Sequence, residues 1–576
     1  MSLEDTKAKL LTANETLEGL LTQINDLYVE EMSAENKNLK EALSELHNSR
    51  EIDLVKIVQD IKNFNGHNFY IFLHVFESVL PLLNESVENI LYCLAHLTQH
   101  ADRYLAVDEA FKHFCKVEAY RPRDSIKFIM EQSELSIYAP FLSSSIVAYS
   151  SDRVDEAIQI TKKLISNENK IVRSQAYLVL GQLDVSEIQA NIIWDLLINN
   201  ANSENDDNCR ALILKSALYF GEKCPSYWPQ IEEFLLTFIE GASAEIIHQI
   251  SDIAAFQRVD IPPNVLHLLI KQLANVSPEN INAISNVDCI LVKLIENGSS
   301  SFAVELLESL LSAGVEITDL GYFTNELLSK RQELLNHIIT KWFLSGKLSL
   351  CNSVSKLLHD VIDKDIELKA EMTQLNDEVK QVFVAHKAIG WLFTRPISVA
   401  SFILSIYETA SPTTHKTLEQ ALYDPMLLSY PGDLKQFLQS CINKGFQVHL
   451  CERLLDRLDI YHANIKEVFD LKELIAPSEN VRAYWKKSNK DMQAAYEEAS
   501  KGSFIREIAT TQRLLYGNSS IYYVHKGNGE RLRQEMPMQS FSHSTEMPRL
   551  NVLDPESLDY ILRIYRGERI KDEVNS

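Results

Sequence analysis

From about residue 52 the apolar side chains recur at helical spacing, and short polar breaks interrupt them at Asn63-Phe64-Asn65-Gly66-His67, Asn84-Glu85-Ser86 and Tyr120-Arg121-Pro122-Arg123. Apolar groups at i, i+3, i+4 and i+7 share one face of an α-helix, and segments of roughly 10 to 18 residues between breaks have the length of ordinary globular helices. Such a helix is apolar along one stripe only, so it must lay that stripe against a neighbour. With 576 residues the chain exceeds what one compact core normally serves. Either several helical domains or a long array of helix pairs follows. Only 17 Gly and 16 Pro are present, against usual shares of roughly 7% and 5%, which argues against a turn-dense all-β fold.

The most informative stretch runs Ser166-Asn167-Glu168-Asn169-Lys170-Ile171-Val172-Arg173-Ser174-Gln175-Ala176-Tyr177-Leu178-Val179-Leu180-Gly181-Gln182-Leu183. A polar turn precedes Val172-Arg173, Ala176 follows three residues after the arginine, and Leu180-Gly181 close the pattern. This resembles the second helix of a HEAT repeat, and the segment from Val154 through Ile165 supplies the first. Small Ala176 and Gly181 let the helix lie close to its neighbours, while Val172, Leu180 and Leu183 fill the interface between repeats. A weaker copy begins 37 residues on, at Asn205-Asp206-Asp207-Asn208-Cys209-Arg210, near the HEAT period of roughly 40. There Ile213 stands where the family places a small residue, and the glycine is missing. The resemblance covers 151–183 well and 190–221 weakly. It implies an α-solenoid of HEAT- or armadillo-type helix pairs, and helical segments such as Pro229 to Ile239, Ala244 to Ala255, Val265 to Leu273 and Phe302 to Leu311 are compatible with it.

The expected fold is therefore mainly α, in four parts. Residues 1–50 carry apolar positions at heptad spacing, Leu10, Leu17 and Ile24 with Ala13, Leu20 and Leu27, then Met32, Leu39 and Leu46. They read as a helical hairpin that caps the array, or as a self-associating coiled coil. Residues 51–362 form the solenoid, and a charged linker or hinge falls near 362–378. Residues 379–500, where aromatics gather in His386-Lys387-Ala388-Ile389-Gly390-Trp391-Leu392-Phe393, form a second helical domain. Within it Tyr423 to Gly432 reads as a loop with apolar anchors. Residues 501–576 form a small Arg-rich α+β module: Ser520 to His525 and Glu530 to Glu535 are strands joined by Lys526-Gly527-Asn528-Gly529, and a helix begins at Asp554-Pro555-Glu556 with Leu558, Ile561, Leu562 and Tyr565 on one face.

The net charge of −24 speaks against coating nucleic acid or an anionic membrane with the whole surface. Its plain reading is solubility, and its sharper one a partner with a basic surface. Eight cysteines without a CxxC pair point to reduced thiols and a cytoplasmic location. The opening Met1-Ser2-Leu3-Glu4-Asp5 lacks the basic flank and apolar run of a signal peptide, and no uncharged stretch of 18 residues appears, so no membrane association is expected.

Site chemistry is sparse. Residues 501–570 hold ten basic side chains against eight acidic ones, and residues 501–576 contain 8 of the 21 arginines. Arg513, Arg531, Arg533, Arg549, Arg563 and Arg566 are the candidates there for gripping a protein, nucleic acid or the chain's own acidic surface. His543 and Glu546, with Asp554, make a weak candidate for a general base and its orienter. His96 and His100 have the i, i+4 spacing of paired metal ligands but no evident third. Arg121, Arg123, Tyr227, Trp228, Trp342 and Trp391 sit at breaks or helix ends where contact anchors occur. The P-loop, dinucleotide, nucleophile-elbow, HExxH and EF-hand patterns are absent, and no cofactor is expected. Three functions follow in order: a non-enzymatic interaction scaffold, a nucleic-acid-engaging subunit acting through 501–576, and an enzyme built around His543 and Glu546.

Overall fold

The computed structural model describes the backbone of residues 2–32, 37–61, 67–100, 107–256, 259–359, 366–468, 509–514, 519–525, 531–537 and 557–570, with isolated positions between 471 and 548. The chain is mainly α-helical and divides into two compact units, Met1–Val315 and Glu316–Ser576.

The first unit opens with helices Leu3–Ala13, Leu17–Met32 and Leu39–Asn48. Ser2 starts the first: its hydroxyl accepts from the Asp5 N–H at 3.2 Å while the Asp5 carboxylate accepts from the Ser2 N–H at 3.3 Å. Of the heptad positions, Leu10, Leu20, Ile24, Leu27, Leu39 and Leu46 are buried. Leu3–Ala13 packs on Leu39–Asn48, and Leu17–Met32 packs on the helix His67–Val79, so this chain covers that face itself.

From Leu142 onward alternate helices form a row. Leu142–Ser150 packs on Lys170–Gln182, which packs on Asp207–Lys223, then Ala244–Phe256, then Ile281–Glu296. The intervening helices Val154–Ile165, Glu187–Ala201, Trp228–Phe238 and Pro263–Gln272 each lie against members of that row. Side chains then reach from one pair to the next. Gln189 donates to Asp155, Arg173 to Glu204, Ser216 to the Tyr177 carbonyl, Tyr227 to Asn191 and Asn286 to Ser251, over sequence separations between 31 and 39. A close crossing falls at Gly181, where an added Cβ would lie 2.7 Å from the Ser216 carbonyl oxygen. Absence of a side chain there lets two backbones meet.

The second unit contains helices Gln332–Ser345, Glu378–Leu392, Pro396–Tyr407, Pro412–Ala421, Pro431–Asn443 and Val448–Glu467 among others. The stretch expected as a linker is tied down from residue 366. Leu368 and Ala370 donate their N–H groups to Ser401 and Ser405 at 2.9 and 2.8 Å. Lys369 and Glu371 donate to Asn336 and Thr340 on the opposite side, both at 3.0 Å. The alternation is that of an extended chain, whose two-residue advance of about 6.7 Å nearly matches the rise of about 6 Å between helical positions i and i+4. Two helices thus offer side-chain acceptors in the register of a β-ladder.

Tyr423 to Gly432, expected as a loop, has helical pieces on either side of a kink: Asp424 leaves the helical region with φ −128° and ψ 114°, and a new helix begins at Pro431. Leu422, Met426, Leu427 and Tyr430 are buried, so the stretch keeps the apolar anchors expected of it. Three strands, β1 (Ala509–Leu514), β2 (Ser519–His525) and β3 (Arg531–Pro537), make an antiparallel sheet in the order β1-β2-β3, with Val524 opposite Leu532. β2 and β3 are the expected pair. β1 was not anticipated, because Ala-Thr-Thr-Gln-Arg-Leu has neither apolar alternation nor an aromatic.

Candidate interaction site

The helix Ser557–Gly567 lies against Glu378–Leu392. Glu378–Leu392 starts at Asp377, whose carboxylate accepts from the Lys380 N–H at 2.8 Å. It buries Phe383, Val384, Ala388 and Ile389, and among them Lys387, at 0% exposure. The Lys387 ammonium donates to the carbonyls of Arg566 at 2.6 Å and Glu568 at 2.7 Å. A helix C-terminus leaves such carbonyls unpaired at its negative end, and a cation there satisfies both needs. Burial pulls the Lys387 ammonium below its ordinary pKa.

The flanking residues complete the fit. The His386 ring stacks on Tyr565 with centroids 4.1 Å apart, and its Nδ1 lies 2.8 Å from the Glu568 carboxylate. Arg566 lays its guanidinium over Trp391 at 5.4 Å and donates from Nε to the Gly390 carbonyl. A Cβ on Gly390 would come within 3.1 Å of the Arg566 backbone nitrogen, so glycine is what admits the helix. Leu558, Ile561, Leu562 and Tyr565, expected on one face, are all half-buried.

A second contact joins the same regions. Both carboxylate oxygens of Glu546 accept backbone N–H groups at the start of Pro431–Asn443, from Gly432 at 2.9 Å and Asp433 at 2.7 Å. An anion at a helix N-terminus meets unpaired donors and the positive end of the dipole.

Of the sequence candidates, His543, Asp554 and Arg549 lie outside the described residues, and Glu546 acts as this anchor. Arg513 and Arg531 have described backbone in β1 and β3 but not described side chains. Arg533 lies 3.7 Å from Glu535, and Arg563 pairs with Asp559 at 2.7 Å. His96 is half-buried in the helix Val87–His100, and the His100 side chain is not described. Among the described residues no three potential metal ligands gather, and no helix is long and apolar enough to cross a membrane. Arg121 is buried and donates to the Phe114 and Leu83 carbonyls, both at 3.1 Å, while Arg123 is exposed. Tyr227 and Trp342 are buried, and Trp228 and Trp391 are half-buried.

Sequence reasoning passed over Lys387, His386, Gly390 and Glu568 as functional groups. The available signal was a lysine inside an otherwise apolar helical run. It also passed over Glu204, which is buried and takes a two-pronged contact from Arg173 and a 3.0 Å bond from the Tyr177 hydroxyl. Burial alone would raise the Glu204 pKa, but Arg173, the Asp206 N–H and Tyr177 outweigh it and hold the carboxyl below its ordinary value. These groups line a cleft of about 550 Å³ with Asn167 and Asn200. Another of about 620 Å³ is lined by Lys40, His74, Glu77, Glu109 and His113, among others.

No family model matches the chain, and no curated protein sequence matches it. One solved structure, the crystal structure of an engineered protein from the Northeast Structural Genomics Consortium, aligns over 80% of this chain and 99% of its own at 15% identity with a TM-score of 0.20. A score so low carries no argument about fold or function.

Proposed function

We propose that the chain is a non-enzymatic interaction scaffold, an α-solenoid of HEAT-like helix pairs that holds protein partners on its extended surface. The observation that carries this reading is the recurrence of side-chain bonds 31 to 39 residues apart along the row of helices. Repetition of that kind makes each helix pair lean on the next, and such arrays present much surface for their length. Ile188 and Ile192, four residues apart on one helix, are 77% and 45% exposed, which supports a contact face there. The charge of −24 favours a partner with a basic surface. The eight free thiols support a cytoplasmic setting.

Residues 501–576 read as a small α+β module, supported by β1–β3 and Ser557–Gly567. The nucleic-acid alternative stands second, since Arg533, Arg563 and Arg566 each already meet an acid or a carbonyl. The enzyme reading stands third, because Glu546 commits both oxygens to backbone donors.

The test is quantitative affinity purification of the full-length chain from its source cells, beside the double variant Ile188→Glu/Ile192→Glu with matched circular dichroism. The scaffold reading expects a protein recovered in fixed ratio to the wild type and about tenfold less with the variant, a loss worth roughly 1.4 kcal/mol. Recovery of the same proteins at the same ratio by both forms, or of none by either, speaks against it.

A further inference from the structure

The intervening helices Glu187–Ala201 and Trp228–Phe238 stand side by side: the Trp194 and Phe234 rings meet edge to face at 6.0 Å, and the Tyr227 hydroxyl donates to the Asn191 side chain at 2.7 Å. Each presents an exposed stripe that is apolar and acidic together. On the first, Ile188, Ile192 and Asp195 are exposed at positions i, i+4 and i+7, which share one face of a helix. On the second, Glu233 and Leu236 are exposed at i and i+3, Leu236 at 58%, and exposed Glu240 follows at i+7 just past the helix end. From Glu187 to Ala201 and from Trp228 to Glu240 the chain carries five acidic side chains and no lysine or arginine. None of Asp195, Glu233 and Glu240 is in an ion pair among the described residues.

We propose that these two stripes dock a basic amphipathic helix of a partner protein, an inference that rests on the scaffold reading and gives the partner its chemistry. Two adjacent helices leave a groove between them, and the side-chain ridge of a third fits it at axis separations of about 8–10 Å. The partner's apolar stripe covers Ile188, Ile192 and Leu236, whose i, i+4 spacing of about 6 Å along the axis is that of a helix and not of an extended chain. Lysines or arginines beside that stripe reach Asp195 on one side of the groove and Glu233 and Glu240 on the other, their aliphatic stems lying on the exposed apolar side chains. The same carboxylates repel the phosphates of nucleic acid and of an anionic membrane, and they repel an acidic helix, so charge selects the class of partner that the apolar stripes alone leave open.

The experiment titrates the full-length chain into a fluorescent peptide of about fifteen residues, with leucines at i, i+4, i+7 and i+11 and lysines beside them on an alanine background, and reads anisotropy. A peptide of the same composition in scrambled order is the control. Saturable binding is expected for the patterned peptide, about tenfold tighter than for the scrambled one. The triple variant Ile188→Ser, Ile192→Ser, Leu236→Ser should weaken it about tenfold, and so should Asp195→Lys, Glu233→Lys, Glu240→Lys, each with native circular dichroism. Equal binding of the two peptides, no saturable binding of either, or unchanged affinity in either natively folded variant overturns the proposal. Affinity purification separates its failure from that of the scaffold reading: a partner lost with Ile188→Glu/Ile192→Glu but kept at full ratio by the charge-reversed chain leaves the scaffold standing and removes the basic helix.

Discussion

Arg173 and Glu204 meet in a parallel two-pronged ion pair, Nε to Oε2 at 2.9 Å and Nη2 to Oε1 at 3.1 Å, across 31 residues of sequence. Arg173 lies in Lys170–Gln182, and Glu204 sits just ahead of Asp207–Lys223, so the pair ties one helix pair to the next. Glu204 also accepts the N–H groups of Asn205 and Asp206, at 3.1 and 3.0 Å. One carboxylate thus shapes the turn that starts the next helix and grips the helix behind it.

Acid should reach this pair in a defined way. The folded Glu204 carboxyl titrates below its ordinary value of 4.5, so its contribution is fully present above about pH 4.5 and is lost as pH falls through the lower folded value. Urea unfolding of the first unit, followed from pH 6 downward, should show a smaller acid-induced loss in Glu204→Gln than in the wild type.

The Gly181 crossing makes a contrast between two glycines. Gly181→Ala drives a methyl onto the Ser216 backbone and should cost about 1–3 kcal/mol in urea unfolding. Gly321→Ala meets nothing within 4 Å at the start of its helix and should be neutral or stabilising by about 0.5 kcal/mol.

The strap at 366–371 predicts an alternating response. Ser401→Ala with Ser405→Ala removes acceptors from Leu368 and Ala370 only, and Asn336→Ala with Thr340→Ala removes those of Lys369 and Glu371. Amide hydrogen exchange resolved by residue should show faster exchange first at the amides that lost their acceptor, each bond being worth about 1 kcal/mol.

Lys387→Met keeps the bulk of the side chain but takes the ammonium from the carbonyls of Arg566 and Glu568, the second of which keeps the Arg569 guanidinium at 3.0 Å. A cost of about 1.5–3 kcal/mol is expected for a charged hydrogen bond. Hydrogen exchange should place it in loss of protection over Ser557–Gly567, with Leu142–Ser150 unchanged.

Helical periodicity made the main elements legible, and the motif around Arg173 located the pair of helices on which the row is built. Gly181 was legible too, as a small residue where helices approach. The partners of these residues were not, because Glu204, Ser216, Ser401 and Asn336 are common polar types whose roles depend on which helix lies opposite. Lys387 was missed for the same reason: a lysine in an apolar run reads as a surface residue until the carbonyls of a segment about 180 residues away are brought to it. The Arg-rich C-terminal segment read as a binding surface from composition, yet Arg566 spends its guanidinium on Gly390 and Trp391.

Contacts such as Arg173–Glu204 join successive helix pairs energetically. Hydrogen exchange of Glu204→Ala, under mild urea, tests this most directly. Loss of the carboxylate removes two charged hydrogen bonds from the Arg173 guanidinium, which keeps only the Asn167 and Glu168 carbonyls, at a cost of about 1.5–3 kcal/mol, and protection should fall together in Lys170–Gln182 and Asp207–Lys223. A loss confined to one of these two helices, with the other as protected as in the wild type, would contradict it.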